Sequence, residues 1–452
     1  MYNPIAPVPA HLIEMVHALR TRLHAPTFSQ HHRVRPEDFT RQRVLTFVRV
    51  GLLILQKSTK AAYLHVREFL SQFAEDGVEP SVTGGAWTQA RAKLRHTAFV
   101  ELNQQVLLPR AYAPAQAAGL RLWRGHRLVG FDGSDLRLPL SPSVEQEFGR
   151  VQVTNQTGVT GTTYPAACLS VAYDLLNRLG LEVQLAPGTV GETDLAIQQF
   201  TVLRGHDVAV FDRGYTGYAL LAEVRRTGAH FISRCSTGSF AAAQKMFRLN
   251  RADRSRRVTL SAPPQLRVEL TQRGLPLTLE VRFVSVRLST GELEVLVTSL
   301  LDEAAYPTAE FLEVYHYRWG HETYHLMLKS RLTLENWSGQ TVEAVRQDLH
   351  ATVLLANLEC LLTGPAQEHL SRGQARRQHP LHVNHAGAYH ALKHRVLDLL
   401  WSDQPTEEVL RRLAHLFLSA PVSVRPDRKS VRRKVSLCRS YHFQRHVKKN
   451  VF

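Results

Sequence analysis

The feature that most restricts the fold is an alternation of short apolar runs and amphipathic segments between residues 126 and 234. The apolar runs have the length and composition of strands, and the amphipathic segments have the spacing of helices. Strands are predicted at 126–139, 164–174, 179–186, 207–211 and 229–234, and helices at 192–204 and 218–227. Strands and helices that alternate in this way predict a mixed α/β sheet.

The region before the sheet, residues 1–118, has helical periodicity. Apolar residues recur every three or four positions and predict helices at 10–24, 40–56, 60–74 and 86–107. In the fourth helix, Arg91, Lys93 and Arg95 are predicted to lie near one another on the helix surface. This basic edge suits DNA binding, and an ordinary solvated helix face explains it equally well.

Residues 235–305 break the alternation, because β-rich runs follow one another there without intervening helices. Strands are predicted at 257–260, 265–270, 277–288 and 293–300, so the segment is interpreted as a β insertion. Beyond it, helices are predicted at 308–333, 341–363, 386–402 and 406–419, with a polar connector at 364–384. The tail from Arg425 to Lys449 is dense in lysine and arginine.

The charge balance points to a polyanionic partner. The 452 residues include 56 Lys and Arg against 39 Asp and Glu, which gives a formal net charge of +17 and a pI near 10.0. Nucleic acid is the commonest partner of so basic a chain, and a merely basic soluble surface is the alternative. The length predicts more than one domain.

Several classes of protein are disfavoured by the cysteines and by the apolar runs. The four cysteines are scattered without Cys-x-x-Cys spacing, which argues against a cysteine zinc site and a disulfide framework. No run reaches the ~20 apolar residues that span a bilayer, and the N-terminus lacks the pattern of a signal peptide. We therefore expect a soluble, cytoplasmic protein.

Two aspartates follow short apolar strands. Asp132 comes after the run LVGF, and Asp212 comes after VAVF. Strand ends in α/β sheets are where functional sites collect, although a single aspartate there is usually a turn former or a helix cap. Asp135 lies three residues after Asp132 and competes with it for the same role.

The predicted helix 308–333 carries an unusual polar stripe. Tyr315, Glu322 and Lys329 recur every seven residues, nearly two helical turns, and Arg318 precedes Glu322 by four. An exposed salt-bridged face with an Arg318–Glu322 pair explains this stripe about as well as a site does. Together with the two aspartates, however, Glu322 supplies a third carboxylate, and three convergent carboxylates are ligands suited to Mg²⁺.

A rival motif uses the same glutamate. Residues 321–325 spell His-Glu-Thr-Tyr-His, the His-Glu-x-x-His pattern of zinc peptidases. Such a site needs a third ligand, and the nearest downstream acids, Glu335 and Glu343, do not stand at a persuasive spacing. A peptidase also leaves Asp132, Asp212 and the positive charge unexplained.

The sequence resembles the insertion-sequence-four family of bacterial DDE transposases over nearly the whole chain. The two aspartate blocks of that family appear as FDGSDLRLP and VFDRGYTG. Its signature Tyr-x2-Arg-x3-Glu-x6-Lys is intact as Tyr315, Arg318, Glu322 and Lys329. The block SVTGGAWTQARAKL and the basic tail are similar in style but less diagnostic.

The resemblance implies an α/β fold with a ribonuclease-H-like catalytic core, interrupted by a β-strand insertion and accompanied by helical N-terminal and C-terminal regions. The expected division is a helical DNA-binding domain at 1–118, the first part of the core at 119–234, the β insertion at 235–305, the second part of the core at 306–363, and a helical, basic region at 364–452.

The resemblance also implies cut-and-paste transposition by a dimer that holds two transposon ends, with DNA hairpins as intermediates. Asp132, Asp212 and Glu322 would be the catalytic residues and would bind two Mg²⁺ ions, with Mn²⁺ as a substitute. Tyr315, Arg318 and Lys329 would bind phosphates of the transposon end, since arginine offers a fork and lysine a point charge. The partner would be double-stranded DNA, both the terminal inverted repeats of the transposon and the target. The protein would then be associated with the nucleoid in the cytoplasm. A transposase-derived DNA-binding protein that no longer cuts, and a nuclease with the same core, are the alternatives.

Overall fold

The computed structural model describes residues 7–41, 43–58, 60–74, 78–113, 119–154, 160–372 and 378–425. The chain divides into two compact units, each assembled from segments that are distant in the sequence. The first unit comprises Met1–Ala117, Arg137–Pro165 and Leu328–Phe452, and the second comprises Ala118–Leu136 and Ala166–Met327.

The α-helices are, in chain order, α1 (Ala10–His24), α2 (Pro26–His32), α3 (Phe47–Leu55), α4 (Ala62–Leu70), α5 (Gly84–Arg91), α6 (Thr97–Glu101), α7 (Leu108–Ala111), α8 (Pro142–Phe148), α9 (Glu192–Gln198), α10 (Tyr218–Arg226), α11 (Ala241–Leu249), α12 (Arg267–Gln272), α13 (Glu310–Tyr317), α14 (Trp319–Leu326), α15 (Val342–Arg372), α16 (His385–His394), α17 (Val396–Leu400) and α18 (Thr406–Ser419). The strands are β1 (Arg127–Arg137), β2 (Arg150–Thr154), β3 (Thr160–Asp174), β4 (Leu179–Pro187), β5 (Asp207–Phe211), β6 (His230–Arg234), β7 (Arg254–Ser261), β8 (Thr278–Arg287), β9 (Leu293–Thr298), β10 (Leu381–His382) and β11 (Val422–Ser423). Two π-helical segments occur at Leu102–Leu107 and Met327–Arg331.

The second unit is built on one mixed sheet, with the strand order β4–β3–β1–β5–β6–β9–β8–β7. The central strands β1, β5 and β6 run parallel, and the pairs on either side of them, β3–β4, β6–β9, β9–β8 and β8–β7, are antiparallel. Every residue of β5 is buried, as expected for a central strand that is covered on both faces. The prediction of a mixed α/β architecture with a large central sheet and helices is confirmed.

The segment predicted as a β insertion, 235–305, extends this same sheet. Its strand β9 pairs with β6, and β8 and β7 follow outwards. The strand predicted at 265–270 is wrong, because the chain forms α12 there, after a 3₁₀ turn that begins at Pro264. The segment also contains α11, which the sequence pattern did not indicate.

The first unit is helical and is organised around α15, which runs for 31 residues and contacts α3, α6, α16 and α18. Most of its residues are buried, so its apolar positions surround the helix instead of forming one stripe. The predicted polar connector at 364–384 is wrong in its first part, because α15 continues through Pro365 to Arg372. In the same unit, β2 pairs with the first part of β3, where Arg150 faces Pro165.

The single helix predicted at 86–107 is also wrong. Thr83 caps the start of α5, which ends at Arg91, and a turn separates it from α6. At this break, backbone groups of residues 91–95 form hydrogen bonds with partners outside the helix. The side-chain amide of Gln347 donates to the carbonyls of Arg91 and Leu94, and the backbone amide of Arg95 donates to the carbonyl of His32.

Two further expectations concern a membrane and the tail. No helix in the described part of the chain is long and apolar enough to cross a membrane. The basic tail predicted from Arg425 to Lys449 lies, apart from Arg425 itself, outside the described residues.

Candidate active site

Asp132 and Asp212 occupy equivalent places on neighbouring strands of the second unit. β1 and β5 run parallel, and their register pairs Gly130 with Val210. Each aspartate follows its paired residue by two positions. Adjacent strands lie about 4.8 Å apart, and residues separated by two positions point to the same face. The two carboxylates therefore converge on one face of the sheet.

The same alternation of side chains places Asp132 and Asp135 on opposite faces of β1. Residues three positions apart on a strand point to opposite faces, so Asp135 shares its face with Gly133. That face is covered by Glu192, because a Cβ atom at Gly133 would lie only 2.5 Å from Glu192 Oε1. Burial raises the pKa of Glu192, and the negative charges of Asp132 and Asp135 add to this effect.

Asp212 is contacted by three side chains. The Tyr315 hydroxyl donates to its Oδ1 at 3.1 Å. The guanidinium groups of Arg318 and Arg234 lie 3.8 and 3.7 Å from its carboxylate oxygens. Burial raises the pKa of Tyr315, so its hydroxyl remains protonated and acts as the donor. The side chain of Asp212 is nevertheless 36% exposed, which leaves room for a further ligand.

Arg318 joins Asp212 to Glu322. Its Nη2 donates to Glu322 Oε1 at 3.0 Å, while its Nη1 lies 3.8 Å from Asp212 Oδ2. Burial opposes the charge of Arg318, but Tyr315, Asp212 and Glu322 together raise its pKa. Arg318 lies between α13 and α14 with helical dihedral angles, so the two helices are nearly continuous.

Asp132 is contacted from α14 by His321, whose Nδ1 lies 3.7 Å from Asp132 Oδ2. The close approach of this ring requires Gly130, because a Cβ atom there would lie 3.2 Å from the ring of His321 and 2.9 Å from Leu175. Burial opposes ionisation of Asp132, but its contact with His321 and the charges of His325 and Arg318 lower its pKa. The helix that carries Glu322 is thus packed directly against the strand that carries Asp132.

The rival His-Glu-x-x-His motif takes part in this arrangement in an unexpected way. His321 and His325 each place one ring nitrogen within 4.8 Å of the other and of an Asp132 oxygen. The glutamate of the motif accepts a hydrogen bond from Arg318 through its Oε1. Among the described residues, Asp132 is the acid that lies with the two histidines.

The prediction that Arg91 lies on an exposed basic edge is wrong. Arg91 is only 5% exposed. Its guanidinium donates to Gln347 Oε1, Ser338 Oγ, the Ala344 carbonyl and Asp348 Oδ1, so it connects α5 to α15 inside the first unit. Because α5 ends at Arg91, the three basic residues do not share one helix surface.

Arg95 and Lys329 are placed differently from Arg91. Arg95 is exposed on the turn between α5 and α6 and donates to the carbonyl of Val34. Lys329 is partly buried in the π-helical turn Met327–Arg331 of the first unit. The predicted DNA contacts of both residues remain predictions.

Sequence reasoning did not single out Arg234 or Glu192. Arg234 ends β6, the strand next to β5, and its guanidinium is bound by Glu294 in addition to its contact with Asp212. The signal was available, because the ends of neighbouring parallel strands meet at one edge of a sheet. Glu192 begins α9 and resembles an ordinary first-turn acid, so nothing local distinguished it.

Comparisons with known proteins show what this chain is similar to. Residues 123–358, more than half of the chain, match the family described as "Transposase DDE domain", and this region includes all three predicted carboxylates. Over 287 residues the chain is 25% identical to the transposase InsG of insertion sequence element IS4 from Escherichia coli strain K12. That match covers 62% of this chain and 61% of the relative, so it spans less than two thirds of the relative's length.

A solved structure is also similar, the cryo-EM structure of the piggyBac transposase synaptic complex with hairpin DNA. It aligns with a TM-score of 0.40 and 11% identity and covers 92% of this chain and 86% of that one. The matched family region contains the sheet with Asp132 and Asp212 as well as the helix with Glu322. This chain belongs to the family of proteins that carry a transposase DDE domain.

Proposed function

We propose that this chain is a DNA transposase of the insertion-sequence-four family, which cuts DNA strands and joins them to a new site. The observation that carries the proposal is the arrangement around Arg318. This buried cation contacts Asp212 and Glu322, and its positive charge also helps to lower the pKa of Asp132. Three acids from β1, the end of β5 and α14 thus share one electrostatic environment inside the matched region.

A ribonuclease-H-like core is part of this proposal. The strand order β4–β3–β1–β5–β6, with β1, β5 and β6 parallel and β4 antiparallel to β3, supports it. The expected division at 1–118, 119–234, 235–305, 306–363 and 364–452 is retained as the proposed order of functional segments along the chain.

The carboxylates present fit two Mg²⁺ ions, with Mn²⁺ as a substitute. The side chains of Asp132, Asp212 and Glu322 are 24%, 36% and 39% exposed, so bound ions could keep the water and phosphate ligands that Mg²⁺ requires. When bound, such ions would activate the attacking oxygen and stabilise the leaving oxygen in phosphoryl displacement.

The residues around the carboxylates are suited to position a DNA strand. Arg318 and Arg234 both carry guanidinium groups beside Asp212, and a guanidinium can bind a phosphate through two parallel hydrogen bonds. The protonated hydroxyl of Tyr315 is a further donor at the same place. We infer that Tyr315, Arg318 and Lys329 bind phosphates of the transposon end, with Arg95 as a more distant contact.

The proposed reaction is cut-and-paste transposition by a dimer. One strand is nicked, the freed 3′-hydroxyl attacks the opposite strand to form a hairpin, the hairpin is hydrolysed, and the 3′-hydroxyls then attack target DNA. The formal net charge of +17 supports a partner with many phosphates.

The function is tested by incubating the full chain and Mg²⁺ with labelled DNA that carries the inverted repeats flanking its gene. Hairpin and strand-transfer products are the expected result. Binding without cleavage would instead support a transposase-derived DNA-binding protein. Cleavage without joining would support a nuclease.

The cleavage rates of two aspartate variants test whether Asp132 or Asp135 is the metal ligand. We expect Asp132→Asn to lower the rate of DNA cleavage by at least about a hundred-fold, or about 2.7 kcal/mol in activation free energy. Asp135→Asn should cut at nearly the rate of the unchanged protein, because its side chain points to the other face of β1. Single-turnover cleavage measures both, and the opposite ranking would make Asp135 the metal ligand.

The phosphate contact proposed for Lys329 predicts a change in salt dependence. Lys329→Ala should weaken end binding and reduce the slope of log affinity against log salt concentration by about one unit, as expected for one lost phosphate contact. The matched control is Lys60→Ala, since Lys60 is exposed and paired with Glu68. A slope that is equally unchanged in both variants would contradict the contact.

A further inference from the structure

Asp132, His321 and His325 bring three potential metal ligands together. One ligand atom from each lies within 4.8 Å of the other two. The two histidines are one turn apart on α14, and their ring centroids are 4.8 Å apart. Both rings are buried, at 1% and 5% exposure, so the surrounding side chains and backbone fix their orientation.

The hydrogen bond of His321 distinguishes its two ring nitrogens. Its Nε2–H donates to the carbonyl of Val171 at 3.1 Å, so Nδ1 is the ring nitrogen that remains for a ligand. This Nδ1 is buried, has no hydrogen-bond partner among the described residues, and faces Asp132 Oδ2. A histidine that donates one ring nitrogen to a backbone carbonyl and leaves the other nitrogen unoccupied has the arrangement typical of a metal ligand.

The distance between His321 Nδ1 and Asp132 Oδ2 suits two ligands of one metal ion. Their distance of 3.7 Å is too long for a hydrogen bond. It is close to the separation of about 3.4 Å between two ligands of a tetrahedral ion with bonds of about 2.0–2.1 Å. A carboxylate oxygen and a buried imidazole nitrogen that face each other at this distance are both potential ligands, and a metal ion between them would stabilise them.

We propose that Asp132, His321 and His325 form a site for a transition-metal ion that prefers imidazole ligands, with Zn²⁺ as the expected ion. Imidazole nitrogens favour zinc, whereas Mg²⁺ favours oxygen ligands only. Two histidines and one carboxylate supply three protein ligands and leave a fourth position for water. The site differs in its ligands from the proposed magnesium site and shares only Asp132 with it.

The shared carboxylate links this site to the proposed activity. Zn²⁺ bound by Asp132 would withdraw one ligand from Mg²⁺, so zinc should inhibit DNA cleavage in competition with magnesium. This consequence rests on the proposed function, whereas the binding of zinc does not.

The test titrates the metal-free full chain with Zn²⁺ by calorimetry and with Co²⁺ by visible absorption, because four-coordinate cobalt absorbs strongly. We expect one ion to be bound through this site. His325→Asn and Asp132→Asn should each lower its affinity by at least about a hundred-fold, more than the loss of a residue that only orients a ligand. His316→Asn, on the exposed face of α13, is the matched control and should bind as the unchanged protein does.

Asp132→Asn keeps the test decisive if a buried histidine variant does not fold, because Asp132 is partly exposed and circular dichroism can verify its fold. Zinc affinity that is the same in the unchanged protein and in both ligand variants would overturn the site. A protein that binds zinc but does not cut DNA with Mg²⁺ alone would retain the site and refute the proposed function. A protein that cuts DNA with Mg²⁺ but does not bind zinc would retain the proposed function and overturn the zinc site.

Discussion

Replacing Asp212 with alanine should abolish DNA cleavage and leave binding of the transposon end intact or tighter. We expect the cleavage rate to fall by about a thousand-fold or more, which is about 4 kcal/mol in activation free energy. Alanine removes both carboxylate oxygens from the place where the proposed metal ions bind. It also removes a negative charge beside Arg318 and Arg234, so the positive potential that attracts phosphate should increase.

Single-turnover cleavage and gel-shift titration of the same labelled DNA measure the two effects separately. The matched control is Glu313→Gln, since Glu313 is an exposed acid on α13 that bonds to Tyr317, away from the three carboxylates. Its cleavage and binding should both resemble those of the unchanged protein. An Asp212→Ala protein that retained most of its cutting rate would remove Asp212 from the site.

The convergence of Asp132 and Asp212 could be predicted because both aspartates follow the apolar residues of a strand, and the ends of neighbouring parallel strands meet at one edge of a sheet. The alternation of strands and helices implies parallel neighbours in the sheet, and each aspartate follows an apolar run of similar length. The contact between Arg318 and Glu322 follows equally from helical spacing. The Arg318–Glu322 contact is encoded locally, whereas the approach of the two aspartates follows from a general rule of α/β topology.

The environment of His321 could not be found in this way. The His-Glu-x-x-His spacing indicated that two histidines share a helix face, but it pointed to a downstream acid as the third ligand. The structure supplies Asp132 instead, from a strand that is distant in sequence. Only the packing of α14 over Gly130 brings these groups together, and no spacing rule describes such a contact.

The strand predicted at 265–270 failed for a different reason. Leu266, Val268 and Leu270 alternate with polar residues, which is the pattern of a strand with one buried face. In the structure Val268 is 69% exposed and Leu270 is fully buried, so the alternation does not reflect burial. Pro264 in the first turn, a position where proline favours helix initiation, was the better indicator.

Arg91 shows how long-range contacts override local pattern. Its spacing from Arg95 suggested a basic helix surface, but its partners Gln347 and Asp348 lie on α15. The same Gln347 donates to the backbone carbonyls of Arg91 and Leu94, so one distant side chain contacts both the buried arginine and the break after α5. The local sequence alone predicts neither the end of α5 nor the burial of Arg91.

Replacing Arg91 with methionine should destabilise the first unit by about 3–5 kcal/mol, because it leaves the buried carboxylate of Asp348 without its charged partner. Both side chains are almost completely inaccessible to solvent, at 6% and 0% exposure. Urea unfolding of the full chain measures the loss. The control is Arg95→Met, since Arg95 is exposed and its replacement should change the free energy of unfolding by about 0.5 kcal/mol or less.

The dependence on pH distinguishes a lost charge from lost packing. Burial opposes ionisation of Asp348, but Arg91, Lys57 and Ser338 lower its pKa in the folded protein. A depressed folded pKa stabilises the fold above the unfolded pKa of about 3.9, and this contribution is lost as the pH falls below it. In Arg91→Met the carboxyl should take up a proton more readily, so the difference in stability between the two proteins should shrink as the pH is lowered. A difference that stays constant with pH would mean that Arg91 acts through packing, and that its charge is not what connects α5 to α15.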